Sequence, residues 1–93
     1  MRESTRVLLV DKNLAEAEIM REAVLEYWPD AERLIAWDGP QAIKVLDPGE
    51  QGLLPDLIIL DLRLAAVHGR DLLRHLKADR ATRTIPVVIM TGT

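Results

Sequence analysis

The sequence predicts a doubly wound α/β domain, a parallel sheet with helices on both faces. Three continuous apolar runs, Val7-Leu8-Leu9-Val10, Leu57-Ile58-Ile59-Leu60 and Pro86-Val87-Val88-Ile89-Met90, lack the alternation of a half-exposed strand. Amphipathic segments separate the runs, and the resulting order βαβαβαβ calls for parallel pairing through right-handed crossovers. Ninety-three residues, 48% of them hydrophobic, make one small core and leave no room for a separate output domain.

Each element has its own signals. Val7 to Val10 is the first strand. From Asn13 to Trp28, Ala15, Ile19, Met20, Ala23, Val24 and Tyr27 recur every three or four residues, the period of an amphipathic helix. Asn13 followed three residues on by Glu16 has the form of a capping box, and Pro29-Asp30 closes the helix. Arg33 to Trp37 is the second strand. Asp38-Gly39-Pro40 puts a proline in a first helical turn, and a short helix carrying Ala42, Ile43, Val45 and Leu46 ends at Pro48-Gly49. Residues Glu50 to Pro55 form a loop before the third strand. Gly69 to Asp79 is helical through Leu72, Leu73 and Leu76, and Thr84-Ile85-Pro86 leads into the fourth strand. With no Phe and 3% aromatics, the core is expected to be aliphatic.

Composition narrows the function. Twelve basic against fifteen acidic side chains give a net charge of −3, so no cationic field favours nucleic acid or anionic lipid. The basic side chains Arg70, Arg74, Lys77, Arg80 and Arg83 are interleaved with Asp71 and Asp79 and read as a solvated helix face. Trp28 and Trp37 are too far apart to form a stacking platform and are assigned to core or loop packing. Absence of cysteine removes disulfides, thiolate catalysis and Cys-based zinc sites. The run at residues 7–10 is too short for a signal sequence or membrane span, and a soluble cytoplasmic protein is expected. Thr93 follows the fourth strand by three residues. With no helix after it, an edge strand and apolar sheet surface would be exposed, so the chain is expected to be a fragment or to pair with another copy, giving a homodimer.

In open α/β sheets ligands bind beyond the C-terminal ends of the strands, and here those ends carry Asp11-Lys12, Asp61 and Thr91-Gly92. An aspartate after a strand is often only a turn or helix cap. Two carboxylates and a hydroxyl converging from three buried strands suit more specific chemistry, because a carboxylate can attack phosphorus or bind Mg²⁺ and a hydroxyl can bond a phosphoryl oxygen.

The segments Val7-Leu8-Leu9-Val10-Asp11, Pro55-Asp56-Leu57-Ile58-Ile59-Leu60-Asp61 and Ile85-Pro86-Val87-Val88-Ile89-Met90-Thr91 resemble the motifs of receiver domains of two-component response regulators. Trp37-Asp38-Gly39 with Ala42, and Gly69, extend the resemblance over nearly the whole chain. It implies a flavodoxin-like fold with strand order 2-1-3-4, lacking the usual fourth helix, fifth strand and fifth helix, so that residues 1–93 form a C-terminally incomplete receiver domain. It also implies that Asp61 is the phosphoacceptor. Asp11, Asp61 and the backbone carbonyl of Arg63 would hold Mg²⁺, and Thr91 would sense the phosphoryl group. The implied partners are a sensor histidine kinase or phosphotransfer protein and a downstream protein target.

The sequence departs from the family pattern in two informative places. Lys12 stands where the family usually has a second acid, which should weaken Mg²⁺ binding; alternatively it pairs with Asp11 and Asp61 in the metal's place, or simply points into solvent. The loop Leu64-Ala65-Ala66-Val67-His68-Gly69 lacks the usual proline and acid. His68 and His75 have no second ligand at metal spacing and read as surface or helix-start residues. The leading expectation is a phosphorylated switch rather than a turnover enzyme. The alternative is a phosphorylation-independent receiver that acts as an interaction or dimerisation module. A phosphatase with an aspartyl nucleophile would want an acid at position 63, where Arg63 stands, and no G-x-x-x-x-G-K-[ST] motif follows the first strand.

Overall fold

The computed structural model describes residues 5–47, 54–61, 63 and 70–90. Strand β1 (Arg6–Val10) is followed by α1 (Leu14–Tyr27), β2 (Glu32–Ala36), α2 (Gly39–Leu46), β3 (Leu57–Asp61), α3 (Arg70–Ala78) and β4 (Val87–Met90). The four strands form one parallel sheet in the order β2-β1-β3-β4. In register, Val10 of β1 lies between Ala36 of β2 and Leu60 of β3. Residues 11 and 61, one position further along adjacent strands, therefore meet at the same end of the sheet.

The side chains of β1 alternate between two fully used faces, which is why its sequence shows no polar alternation. On one face, Leu8 and Val10 pack with Ile58, Leu60, Ala42, Leu46, Leu72 and Leu76, beneath α2 and α3. On the other, Val7 and Leu9 pack with Met20, Val24 and Ala31, beneath α1. The core is aliphatic, as expected.

One expectation needs correction. The buried stripe of α1 is Ala17, Met20 and Val24, narrower than the apolar periodicity implied. Ile19 and Tyr27 are 67% and 78% exposed, so those positions contribute to the apparent period without joining the core. One helical step of about 100° separates Ile19 from Met20, enough to move a side chain from the sheet to water. The fourth apolar run is half exposed, as expected of an edge strand. β4 is an edge strand, and Val88, Ile89 and Met90 are 43–44% exposed. The two tryptophans are at the surface, with Trp28 in a tilted ring contact with Tyr27 at 6.2 Å.

Helix boundaries follow side-chain caps. The Asn13 side chain accepts hydrogen bonds from the N–H groups of Ala15 and Glu16, and the Asp38 side chain accepts one from Gln41, with Pro40 in the first turn of α2. Beyond α3, the buried Thr82 hydroxyl donates to the Leu76 carbonyl at 2.8 Å and folds the exit back onto the helix. Among the described residues no helix is long and apolar enough to cross a membrane.

Candidate functional site

The site is built at the C-terminal ends of β1 and β3. Asp11 leaves β1 with its backbone N–H bonded to the Ala36 carbonyl at 2.9 Å, and both Asp11 and Asp61 are buried. The Asp11 carboxylate accepts a 2.8 Å hydrogen bond from the Asn13 N–H. The Asp61 carboxylate accepts a longer one, 3.3 Å, from the Arg63 N–H. Each aspartate thus ties down the turn that follows its strand, the ordinary role of such a residue. Burial so close together gives them a further one.

A third carboxylate joins them. One oxygen each from Asp11, Glu16 and Asp61 lie within 4.8 Å of one another. Glu16 was recognisable in the sequence only as the second member of a capping box, and that assignment is half right. Asn13 does cap α1, but its own N–H is taken by Asp11, so Glu16 is not needed to close the box and turns toward the strand ends. The signal was its place one turn into the helix that leaves β1: the first turn after a strand overhangs the strand's C-terminal end.

Three acids this close repel one another. Burial first, and then the neighbouring charges of Asp61 and Glu16, hold the Asp11 carboxyl above its usual range, against the lowering effect of the Asn13 hydrogen bond. An acid whose folded pKa is raised binds its proton more tightly in the folded state than in the unfolded one. Its contribution therefore favours folding at low pH and is lost as the pH climbs through the raised value. Asp11→Asn, which keeps an oxygen for the Asn13 N–H, is accordingly expected to raise the Tm of the metal-free protein at pH 7 by a few degrees. The gain should vanish when the melts are repeated in the acid range where Asp11 is already protonated.

A cation of the chain's own lies on this cluster. Nη2 of Arg63 donates to both carboxylate oxygens of Glu16, at 2.7 and 2.6 Å, and stands 3.6 Å from Oδ2 of Asp61. Glu16 in turn holds the guanidinium proton more firmly than usual. Lys12, one of whose readings was to fill this role, does not fill it: its side chain is exposed, and among the described residues it forms no ion pair. The departure at position 12 removes an acid from the site without placing an ammonium on the remaining ones.

The donor set fits a small divalent cation. Mg²⁺ takes hard oxygen ligands at about 2.1 Å, which sets opposite ligands about 4.2 Å apart, close to the observed spread of the three carboxylates. A guanidinium already drawn to the same oxygens shows that the cluster attracts positive charge. Thr91, Pro48-Gly49 and the loop Leu64 to Gly69, including His68, lie outside the described residues. His75 is exposed near the end of α3, and Arg74, Lys77, Arg80 and Arg83 are exposed as well, in keeping with a solvated face.

Comparison with known proteins bears on this arrangement. A family model of the response regulator receiver domain matches residues 7–93. Among curated proteins, response regulator Rcp1 of Synechocystis is 33% identical over 88 residues, which cover 91% of this chain and 60% of that protein. Response regulator PleD of Caulobacter vibrioides is 36% identical over 90 residues, 96% of this chain and 18% of PleD. The chain thus spans less than two thirds of the length of either relative, 60% of Rcp1 and 18% of PleD. The crystal structure of the phosphorylated cyanobacterial phytochrome response regulator RcpA superposes with a TM-score of 0.83 at 30% identity, covering 97% of this chain and 66% of that one. The Mn²⁺-bound form of Rcp1 superposes with a TM-score of 0.78 at 33% identity, covering 96% and 66%.

Proposed function

The chain belongs to the response regulator receiver domain family, the phosphorylated switch of two-component signalling rather than a turnover enzyme, and from that premise we propose that Asp61 is its phosphoacceptor. The phosphoryl donor is a sensor histidine kinase or a phosphotransfer protein, and the phosphorylated domain changes its preference for a downstream protein target. A cytoplasmic location goes with this reading.

The observation that carries it is the convergence of Asp11, Glu16 and Asp61 at the ends of two adjacent strands. Asp61 is the nucleophile: a carboxylate oxygen attacks the phosphorus of the donor phosphohistidine as the bond from phosphorus to the imidazole nitrogen breaks. Asp11 and Glu16, with Asp61 and the backbone carbonyl of Arg63, would hold Mg²⁺. When bound, the ion supplies positive charge that offsets the carboxylates and the oxygens of the group in transfer. Asp11 is anchored through its backbone to β2 and through its side chain to the start of α1, which fixes its carboxylate before any ligand arrives. The Thr91 hydroxyl donates a hydrogen bond to a phosphoryl oxygen and reports that the group is present.

Glu16 supports this reading over that of a phosphorylation-independent interaction module. Lys12 costs the site one acid, and Glu16 restores a third carboxylate from the next helical turn. Glu16→Gln is therefore expected to weaken Mg²⁺ binding about tenfold, and Lys12→Asp to tighten it by about the same factor, the scale set by gaining or losing a charge beside a divalent ion at a partly exposed site. Isothermal titration with Mg²⁺ checks both.

The reading itself is tested by intact-mass analysis after incubation with acetyl phosphate. A single phosphoryl adduct that requires Mg²⁺ and disappears with a chelator is expected. No adduct on this chain, with an adduct on Lys12→Asp, would favour the interaction module instead.

A further inference from the structure

The contact between Arg63 and Glu16 does more than neutralise charge. Both oxygens of Glu16 are engaged by one nitrogen of the guanidinium, and Asp61 is 3.6 Å from the same nitrogen. Two of the three carboxylates in the cluster are therefore already paired with a cation. The Arg63 backbone is tied to Asp61 by its N–H, so the side chain is rooted two residues beyond the acceptor and reaches across to α1. That side chain is 63% exposed, and it can swing into water without opening a cavity or burying a charge.

Resting on the reading of this cluster as a divalent-cation site, we propose that Arg63 is a built-in competitor of the metal: it latches Glu16 and Asp61 in the metal-free protein and is released when the ion binds. A guanidinium and a divalent ion on the same carboxylates repel one another, so each stabilises the state without the other. Arg63 relieves the repulsion among the acids while the site is empty of metal, and the metal must displace it. The ion pair is exposed and is screened by salt, so the competition weakens as ionic strength rises. Lys12 carries the same formal charge in the same region but, among the described residues, forms no ion pair with the three acids, and its effect lacks this competitive component.

Mn²⁺ alone is the probe, since the free ion gives an electron paramagnetic resonance signal that is lost on binding, and the readout is affinity rather than phosphorylation. Wild type, Arg63→Ala, Lys12→Gln, Glu16→Gln and the double variant Glu16→Gln/Arg63→Ala are titrated at low and high salt. Arg63→Ala is expected to bind Mn²⁺ about fivefold more tightly than wild type at low salt, with a smaller ratio at high salt. Lys12→Gln should give a smaller gain. In the Glu16→Gln background, where the latch has lost its main partner, removing Arg63 should gain less than about twofold. Equal affinity in wild type and Arg63→Ala would overturn the latch and leave the cation site standing. An equal gain from Lys12→Gln, or a full gain that persists without Glu16, would reduce Arg63 to a contribution to net charge and also overturn it. Failure of every variant to bind Mn²⁺ would remove the cation site and the latch together.

Discussion

Asp61→Asn is expected to abolish phosphoryl uptake from acetyl phosphate while leaving the domain folded. The amide nitrogen and oxygen occupy nearly the same volume as the carboxylate, and the Oδ1 that accepts the Arg63 N–H is kept. The nucleophile is not kept, because an amide oxygen is too weak to displace a phosphoryl leaving group. Removing one of three clustered negative charges also relieves repulsion at the site, so the variant should melt at the same temperature as the parent or higher. Intact mass and a thermal melt on the same sample separate loss of chemistry from loss of structure. Residual adduct in Asp61→Asn would point to a second acceptor, with Asp11 and Glu16 as the adjacent carboxylates.

The largest stability effect is expected at the centre of the sheet. Leu8 is fully buried between the neighbouring strands and beneath α2 and α3. Leu8→Ala removes three carbons from a position with no access to water, and it should cost about 3 kcal/mol in transfer and cavity terms together. Domains of this length have a total stability of roughly 5–14 kcal/mol, so the variant loses a large share of it. Ile19→Ala is the contrast. Its side chain is 67% exposed on α1, and the cost should be within about 0.5 kcal/mol. Urea melts of the two variants check the assignment of faces, and comparable losses would contradict it.

That contrast marks where sequence patterning stops being informative. The strands were legible because an uninterrupted apolar run has few ways to be satisfied other than cover on both faces, and β1 and β3 have that cover. In β4 the same apolar pattern lies at one edge of the sheet of the described residues and is half exposed, so the pattern alone does not distinguish a central strand from an edge one. In α1, Ala15, Ile19, Ala23 and Tyr27 fit a three-or-four period as well as the true stripe of Ala17, Met20 and Val24 does. When two apolar stripes compete on one helix, only tertiary contact chooses between them.

The site shows the same division. Asp11 and Asp61 could be found from their positions after apolar runs, since the topology of parallel sheets gathers such residues at one end. Glu16 could not be found that way, because its side chain had an adequate local explanation as a cap partner. The hydrogen bond from Asn13 N–H to Asp11 takes the cap's place and frees Glu16, and this three-body arrangement leaves no mark on residue spacing. Arg63 was named for its carbonyl and as a residue that argues against a phosphatase. Its guanidinium, reaching back over α1 to Glu16, has no counterpart in the sequence pattern.

The most direct test of the central claim is to locate the phosphoryl group itself. Borohydride reduces an acyl phosphate to the alcohol, so a phosphorylated aspartate becomes homoserine and can be found by peptide mass mapping. After treatment with acetyl phosphate and Mg²⁺, homoserine is predicted at position 61, with Asp11 and Glu16 unchanged. Reduction at Asp11 or Glu16 instead, or no reduced residue in a sample that carries the adduct, would contradict the assignment of Asp61 as the acceptor.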